Sequence, residues 1–127
     1  MIIENGKVLL ILEGDGATNG GLYSVPGGRC ENGEDPAACA VREALEEVNV
    51  IVVAEREIDN FHVLVRGNCL HGYVYDSRIL QGVPRPGGGV KAVCWADLAQ
   101  IEALEARGLM ITGKLFEAIK NSLISLV

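Results

Sequence analysis

The segment Gly27–Val50, GGRCENGEDPAACAVREALEEVNV, constrains this chain more than any other. It contains one helix with both ends marked. Asp35 can accept from the free amides of a first turn, and Pro36 fits the first helical position, where no N–H is needed. Ala37 to Val48 continues without a breaker, and Asn49 stands where a left-handed residue should end the helix. Ala38, Val41, Leu45 and Val48 form an apolar stripe that can dock on a core. Glu43, Glu46 and Glu47 lie at i, i+3 and i+4, so their carboxylates converge elsewhere on the surface. Each like-charged pair costs a few tenths of a kcal/mol. Arg42, which reaches Glu46 at i+4, is the one cation within the cluster. A hard divalent cation would relieve the repulsion, and Mg²⁺ prefers carboxylate oxygens. A solvated acidic face is the other reading of three glutamates alone.

The residues before the helix decide between them. The segment runs Gly28, five residues, Glu34, seven residues, Arg42-Glu43-Ala44, one residue, Glu46-Glu47, one residue, Asn49-Val50. This resembles the signature of the Nudix hydrolases, Gx5Ex7REUxEExGU with U aliphatic. Gly28, Glu34, Arg42, Glu43, Glu46, Glu47 and Val50 match in register, and Leu22 to Gly27 is similar to the family's approach to the box. Ala44 replaces a larger aliphatic, which bears on core packing. Asn49 replaces Gly, a mild change because Asn tolerates the left-handed region.

The resemblance implies an α/β fold, a Nudix-type α/β/α sandwich with a mixed β-sheet, in a single domain over residues 1–127. It implies a divalent-metal-dependent hydrolase that splits the diphosphate linkage of a nucleoside diphosphate derivative, with Mg²⁺ or Mn²⁺ as cofactor. Glu43, Glu46 and Glu47 would be catalytic. Together with the Gly28 carbonyl they would hold the metal, and Glu34 with Arg42 would form a structural ion pair. Arg29, Arg78 and Arg85 are candidate phosphate contacts, although no spacing singles one out. Two family features are missing. Glu13 stands where many members carry a basic residue after the first strand. The loop Gly82–Gly89 has no acid where many members supply one, leaving Asp76 and Asp97 as the nearest. The alternative is therefore a Nudix-fold module that binds nucleotide without hydrolysis. The complete set of charged box residues favours the enzyme.

The net charge of −6 disfavours a nucleic-acid polymer as partner. An acidic pocket loaded with metal is locally cationic, so a small nucleotide remains a suitable substrate. The 49% hydrophobic share in 127 residues suits one domain with a real core. No apolar run is long enough to span a membrane. The first residues lack the basic and apolar regions of a signal peptide, so a cytoplasmic monomer or homodimer is expected. Cys30, Cys39, Cys69 and Cys94 include no C-x-x-C pair. They are expected to be reduced and not to ligate zinc.

The remaining elements follow from local signals. Lys7–Leu12, Val50–Val53, Ile58–Val65, Leu70–Leu80 and Val90–Trp95 read as strands, with Arg66-Gly67-Asn68 as a turn. Asp97 can cap a helix over Leu98–Arg107 that Gly108 ends. Thr112 can cap a last helix from Gly113 to about Leu126, striped by Leu115, Ile119, Leu123 and Leu126. His62, His71, Trp95, Tyr73 and Tyr75 are expected to be structural.

Overall fold

The apolar run after Lys7 is buried on both faces because it forms the middle of a sheet. The computed structural model describes residues 1–126, apart from the side chain of Val65. In it β2 (Lys7–Glu13) pairs antiparallel with β1 (Ile3–Glu4), β3 (Tyr23–Ser24) and β6 (Val90–Ala96). Val8, Leu9, Leu10 and Ile11 are wholly buried. Each contributes about 1.5–3 kcal/mol through burial. The pleat divides them between two layers. Val8 and Leu10 pack with Ile101 of α2 (Leu98–Ala106) and with Phe116, Ile119 and Leu123 of α3 (Lys114–Ile124). Leu9 and Ile11 pack with Ala44 and Val48 of α1 (Pro36–Val48). The result is the expected α/β/α sandwich. The strands pair antiparallel, and parallel pairing enters at two isolated bridges, Ile2–Ser77 and Tyr23–Met110.

The cap signals of α1 hold. Asp35 accepts from the amides of Ala37 and Ala38, and Asn49 is left-handed at φ 60°. The buried face is rotated from the expected stripe. Ala44 is buried and Val41 half-buried, whereas Ala38 is exposed and Leu45 is 52% exposed. Ala44 is the reason: its small side chain lets the helix approach Leu9 and Ile11 closely.

The strands expected at Val50–Val53 and Ile58–Val65 are one strand, β4 (Ile51–Val65), paired with β5 (Asn68–Gln81). The polar residues Glu55, Arg56 and Glu57 suggest a break, but register shifts at Ala54/Arg56 and Glu57/Asp59 carry the strand through them. The turn narrows to Arg66-Gly67, both at positive φ, as a two-residue hairpin requires. At α3, Gly113 occupies the cap position at φ 82° without a side-chain cap, so Thr112 does not serve as one. Phe116, Ala118, Ile119 and Leu123 are its buried residues, while Leu126 lies beyond the helix and is exposed.

The Pro/Gly loop 82–89 anchors the end of α1. The amides of Arg85, Gly87 and Gly88 donate to the carbonyls of Val48, Glu47 and Glu46. The Asn49 side chain donates to the carbonyls of Arg85 and Pro86. These bonds satisfy carbonyls that every helix end leaves open. A Cβ on Gly87 would overlap the Glu46 carbonyl oxygen. Gly87→Ala is expected to destabilise the fold by about 1–3 kcal/mol, the usual range for overpacking. Urea unfolding checks this, and a midpoint equal to the parent's would show that the loop does not press on the helix.

Candidate active site

Arg42 organises the box. Its Nε and Nη2 donate to the two Glu34 oxygens at 2.8 and 3.0 Å, the bidentate geometry that suits a guanidinium and a carboxylate. Nη1 lies 3.1 Å from both Glu43 and Glu46, and Nη2 also donates to the Arg29 carbonyl at 3.1 Å. The Glu34–Arg42 pair is thus present, and it joins the glycine loop to α1. Arg42 holds the Glu34 carboxyl down at about 2, well below the ordinary carboxylate value.

Gly27 and Gly28 bring backbone against the helix. The Gly27 amide donates to Glu47 Oε1 at 2.7 Å. A Cβ at Gly28 would sit 2.8 Å from the Glu43 carboxylate, so only glycine leaves that group room. Burial pushes the Glu47 carboxyl up to about 8, against the Gly27 hydrogen bond and with help from Glu43, Glu13 and Glu46. Glu43 is raised mainly by burial, with Arg42 opposing.

Glu13 is the residue that sequence reading did not place in the site. It ends β2, half-buried, and its carboxyl is raised first by burial and then by Glu43. A carboxylate stands where many family members carry a basic residue. The available signal was alternation along β2: Leu9 and Ile11 face the α1 layer, and Glu13 follows them. The other acids are occupied elsewhere. Asp97 caps α2 at Gln100, and Asp76 lies 3.9 Å from Arg56. Glu13, Glu43, Glu46 and Glu47 offer oxygen donors, the kind a hard divalent ion takes. Among the described residues, the three potential ligand groups whose ligand atoms already gather within 4.8 Å of one another are Cys30, Glu34 and Cys39.

The candidate phosphate contacts separate. Arg29 adjoins Gly28, and its carbonyl is tied to Arg42. Arg85 lies in the loop that binds the end of α1. Arg78 is on the β4–β5 ribbon, paired with Glu55 at 3.4 Å. His62 and His71 face each other on that ribbon with ring centroids 4.5 Å apart, and His71 stacks on Tyr73. Trp95 packs against the α1 layer. Clefts of about 380 and 540 Å³ lie elsewhere, one beside Arg56–Asp59 and Ser122, the other around Phe116 and Lys120.

The cysteine expectation needs correction. Cys30 and Cys39 form a disulfide, with Cα atoms 5.3 Å apart, while Cys69 and Cys94 are free. No short motif marks the pair. The glycine loop folds back over the first turns of α1 and brings Cys30 to Cys39.

The candidate site is thus a helix that presents carboxylates beneath a glycine loop, within an α/β/α sandwich. The sequence matches the NUDIX domain over residues 1–117, and the chain belongs to that family. No curated protein matches it in sequence. Among solved structures it is similar to a NUDIX hydrolase from Nitrosomonas europaea, at TM-score 0.82 and 21% identity, covering 98% of this chain and 84% of that one. It is similar to a MutT protein from Methanosarcina mazei Go1, at TM-score 0.78 and 19% identity, covering 99% and 89%. An ADP-ribose pyrophosphatase from Streptococcus suis superposes at TM-score 0.64 and 23% identity, covering 96% and 82%. At these identities the likeness shows the fold. Among the described residues, no helix is long and apolar enough to cross a membrane.

Proposed function

We propose that this protein hydrolyses the diphosphate linkage of a nucleoside diphosphate derivative with Mg²⁺ or Mn²⁺. The observation that carries the reading is the placement of Glu43 and Glu47 against Gly28 and Gly27, beside Arg42 and Glu46. Glu43, Glu46, Glu47 and the Gly28 carbonyl would hold the metal. When bound, it would neutralise diphosphate charge and lower the pKa of a coordinated water. Phosphoryl transfer then asks the protein mainly for positioning and electrostatics. Glu34 and Arg42 fix the loop against the helix. Arg42 also holds Glu46 in place. Glu43 would either complete that metal site or accept the proton of the attacking water, and Gly27 orients Glu47 through its amide. Arg29, beside the box, is the best placed of the arginines to meet a phosphate. Arg85 is the second, and Arg78 needs to leave Glu55 to take part.

A module that binds nucleotide without hydrolysis rested on the acid-free loop and on Glu13. Glu13 beside Glu43 and Glu47 supplies an acid from another part of the chain, which weakens that reading. In the proposed form the protein is a single cytoplasmic domain, monomeric or homodimeric, acting on a small nucleotide. The test is a panel of ADP-ribose, nucleotide sugars, dinucleotides and nucleoside triphosphates with Mg²⁺ or Mn²⁺, followed by product release. Turnover of at least one compound is expected. Saturable binding across the panel without turnover would favour the module.

A further inference from the structure

We infer that Cys30–Cys39 is a thiol-exchange site that sets the order of the glycine loop and so the hold of the box on its metal. The metal part of the inference rests on the proposed function; the exchange and loop parts do not. Cys30 is exposed and stands two residues after Gly28, whereas Cys39 is buried in α1. Residues 27–33 are exposed and outside regular structure. Apart from the disulfide, the loop is held by Gly27 on Glu47, Arg42 on Arg29 and Glu34, the Glu31 amide on the Glu34 carboxylate, and a backbone bond from the Glu34 amide to the Glu31 carbonyl. The disulfide is therefore the covalent cross-link that adds to the loop's backbone connection to the helix. A disulfide with an exposed member is characteristically of the labile, exchangeable kind.

The exchange is chemically balanced with a low-molecular-weight thiol as reductant. Its thiolate attacks the exposed Cys30 sulfur, the Cys30–Cys39 bond breaks, and Cys39 leaves as a thiolate that takes a proton. The Arg42 Nη2, 3.8 Å from the Cys39 sulfur, favours that thiolate as it forms. A second thiol attacks the mixed disulfide and frees Cys30. Two electrons pass from two small thiols, which leave as their own disulfide. The reverse sequence, with that disulfide as oxidant, restores the tie.

Reduction leaves Gly27 and Gly28 held by hydrogen bonds alone. Gly28 then no longer confines Glu43, and Gly27 dissociates more often from Glu47. These groups orient the proposed ligands, and loss of such support typically costs about tenfold in metal affinity.

The experiment equilibrates the whole protein anaerobically across a series of glutathione to glutathione disulfide ratios. One portion is acid-quenched, alkylated and mapped by mass spectrometry. Another is measured by amide hydrogen exchange over residues 27–34 and by Mn²⁺ binding. Cys30 and Cys39 should titrate together in one two-electron step while Cys69 and Cys94 stay alkylatable throughout. Loop exchange should rise, and Mn²⁺ affinity fall about tenfold, at the same midpoint. Cys30→Ser, a change at an exposed position, should show the reduced behaviour at every ratio. The inference is overturned if no ratio yields the Cys30–Cys39 disulfide, or if loop exchange is equal in both states. It is also overturned if the reduced protein retains zinc at these sulfurs, whose ligand atoms lie within 4.8 Å of Glu34. A protein that binds no Mn²⁺ in either state instead defeats the proposed function, and the mapping and exchange still decide the thiol chemistry.

Discussion

Glu47→Gln is expected to lower turnover at least about a hundredfold, about 2.7 kcal/mol in the barrier. The substitution keeps the shape of the side chain. Its amide oxygen can still accept from the Gly27 amide, the contact that Glu47 makes at 2.7 Å. Loop and helix therefore stay together, and what disappears is a carboxyl that can ionise for the proposed metal beside Glu43 and Glu13. A small change in melting temperature beside a large loss of rate is the expected signature. Steady-state kinetics on the best substrate of the nucleotide panel gives the result. Turnover equal to the parent's would remove Glu47 from the chemistry.

The second large effect joins pH to metal. In the metal-free protein Glu47 holds its proton up to about 8, and Glu43 and Glu13 are shifted in the same direction. A carboxyl raised in the folded state binds protons that the unfolded chain has released. Its stabilising effect is complete below the ordinary value of 4.5 and is lost as pH rises through about 8. Glu34 has the opposite sign, and its contribution is lost only as pH falls from 4.5 toward about 2. Between pH 5 and 6 the raised groups govern, so the metal-free melting temperature should fall; from about 6 to 8 the buried Met1 amino group, lowered to about 6 by burial, has the opposite sign and offsets the fall. Metal binding requires the proton to leave, so Mg²⁺ or Mn²⁺ should bind more tightly at pH 8 than at pH 6. At a hundred times its dissociation constant the ion adds about 2.7 kcal/mol to the fold. Melts in MgCl₂ and in NaCl at matched ionic strength separate binding from screening. Glu46→Gln/Glu47→Gln should abolish the Mg²⁺-specific shift. A shift that survives the double substitution, or is matched by NaCl, would rule out the metal site.

The parts legible in the sequence were those written in local chemistry. Asp35-Pro36 and Asn49 mark the ends of α1 through groups a few residues apart, and Glu34 meets Arg42 as the family resemblance implies. The pleat of β2 showed in its uninterrupted apolar run. Other features depend on partners distant in the chain. The rotation of α1 is set by Leu9 and Ile11 across the layer boundary, which favours Ala44 over Leu45. The continuity of β4 comes from bulges paired with β5, and its own residues 55–57 argue against a strand. Cys30 meets Cys39 only after the loop has turned back over the helix. Glu13 could be assigned to the site only once β2 was oriented against α1.

The bonds from Arg85, Gly87 and Gly88 to the last turn of α1 also impose an order of assembly. Asn49 and Arg85 are 36 residues apart, and the ribbon of β4 and β5 lies between them. During synthesis the box helix leaves the ribosome well before the segment that secures its end. The carboxylates must wait, with the last carbonyls of their helix turned to water, until the ribbon closes and β6 joins β2. A proteolytic cut at the ribbon tip that releases the second half would leave every box residue intact and the helix end unsecured. Completion of the proposed metal site is thus deferred until nearly the whole fold is complete, and the box transplanted alone into another scaffold would lack that support.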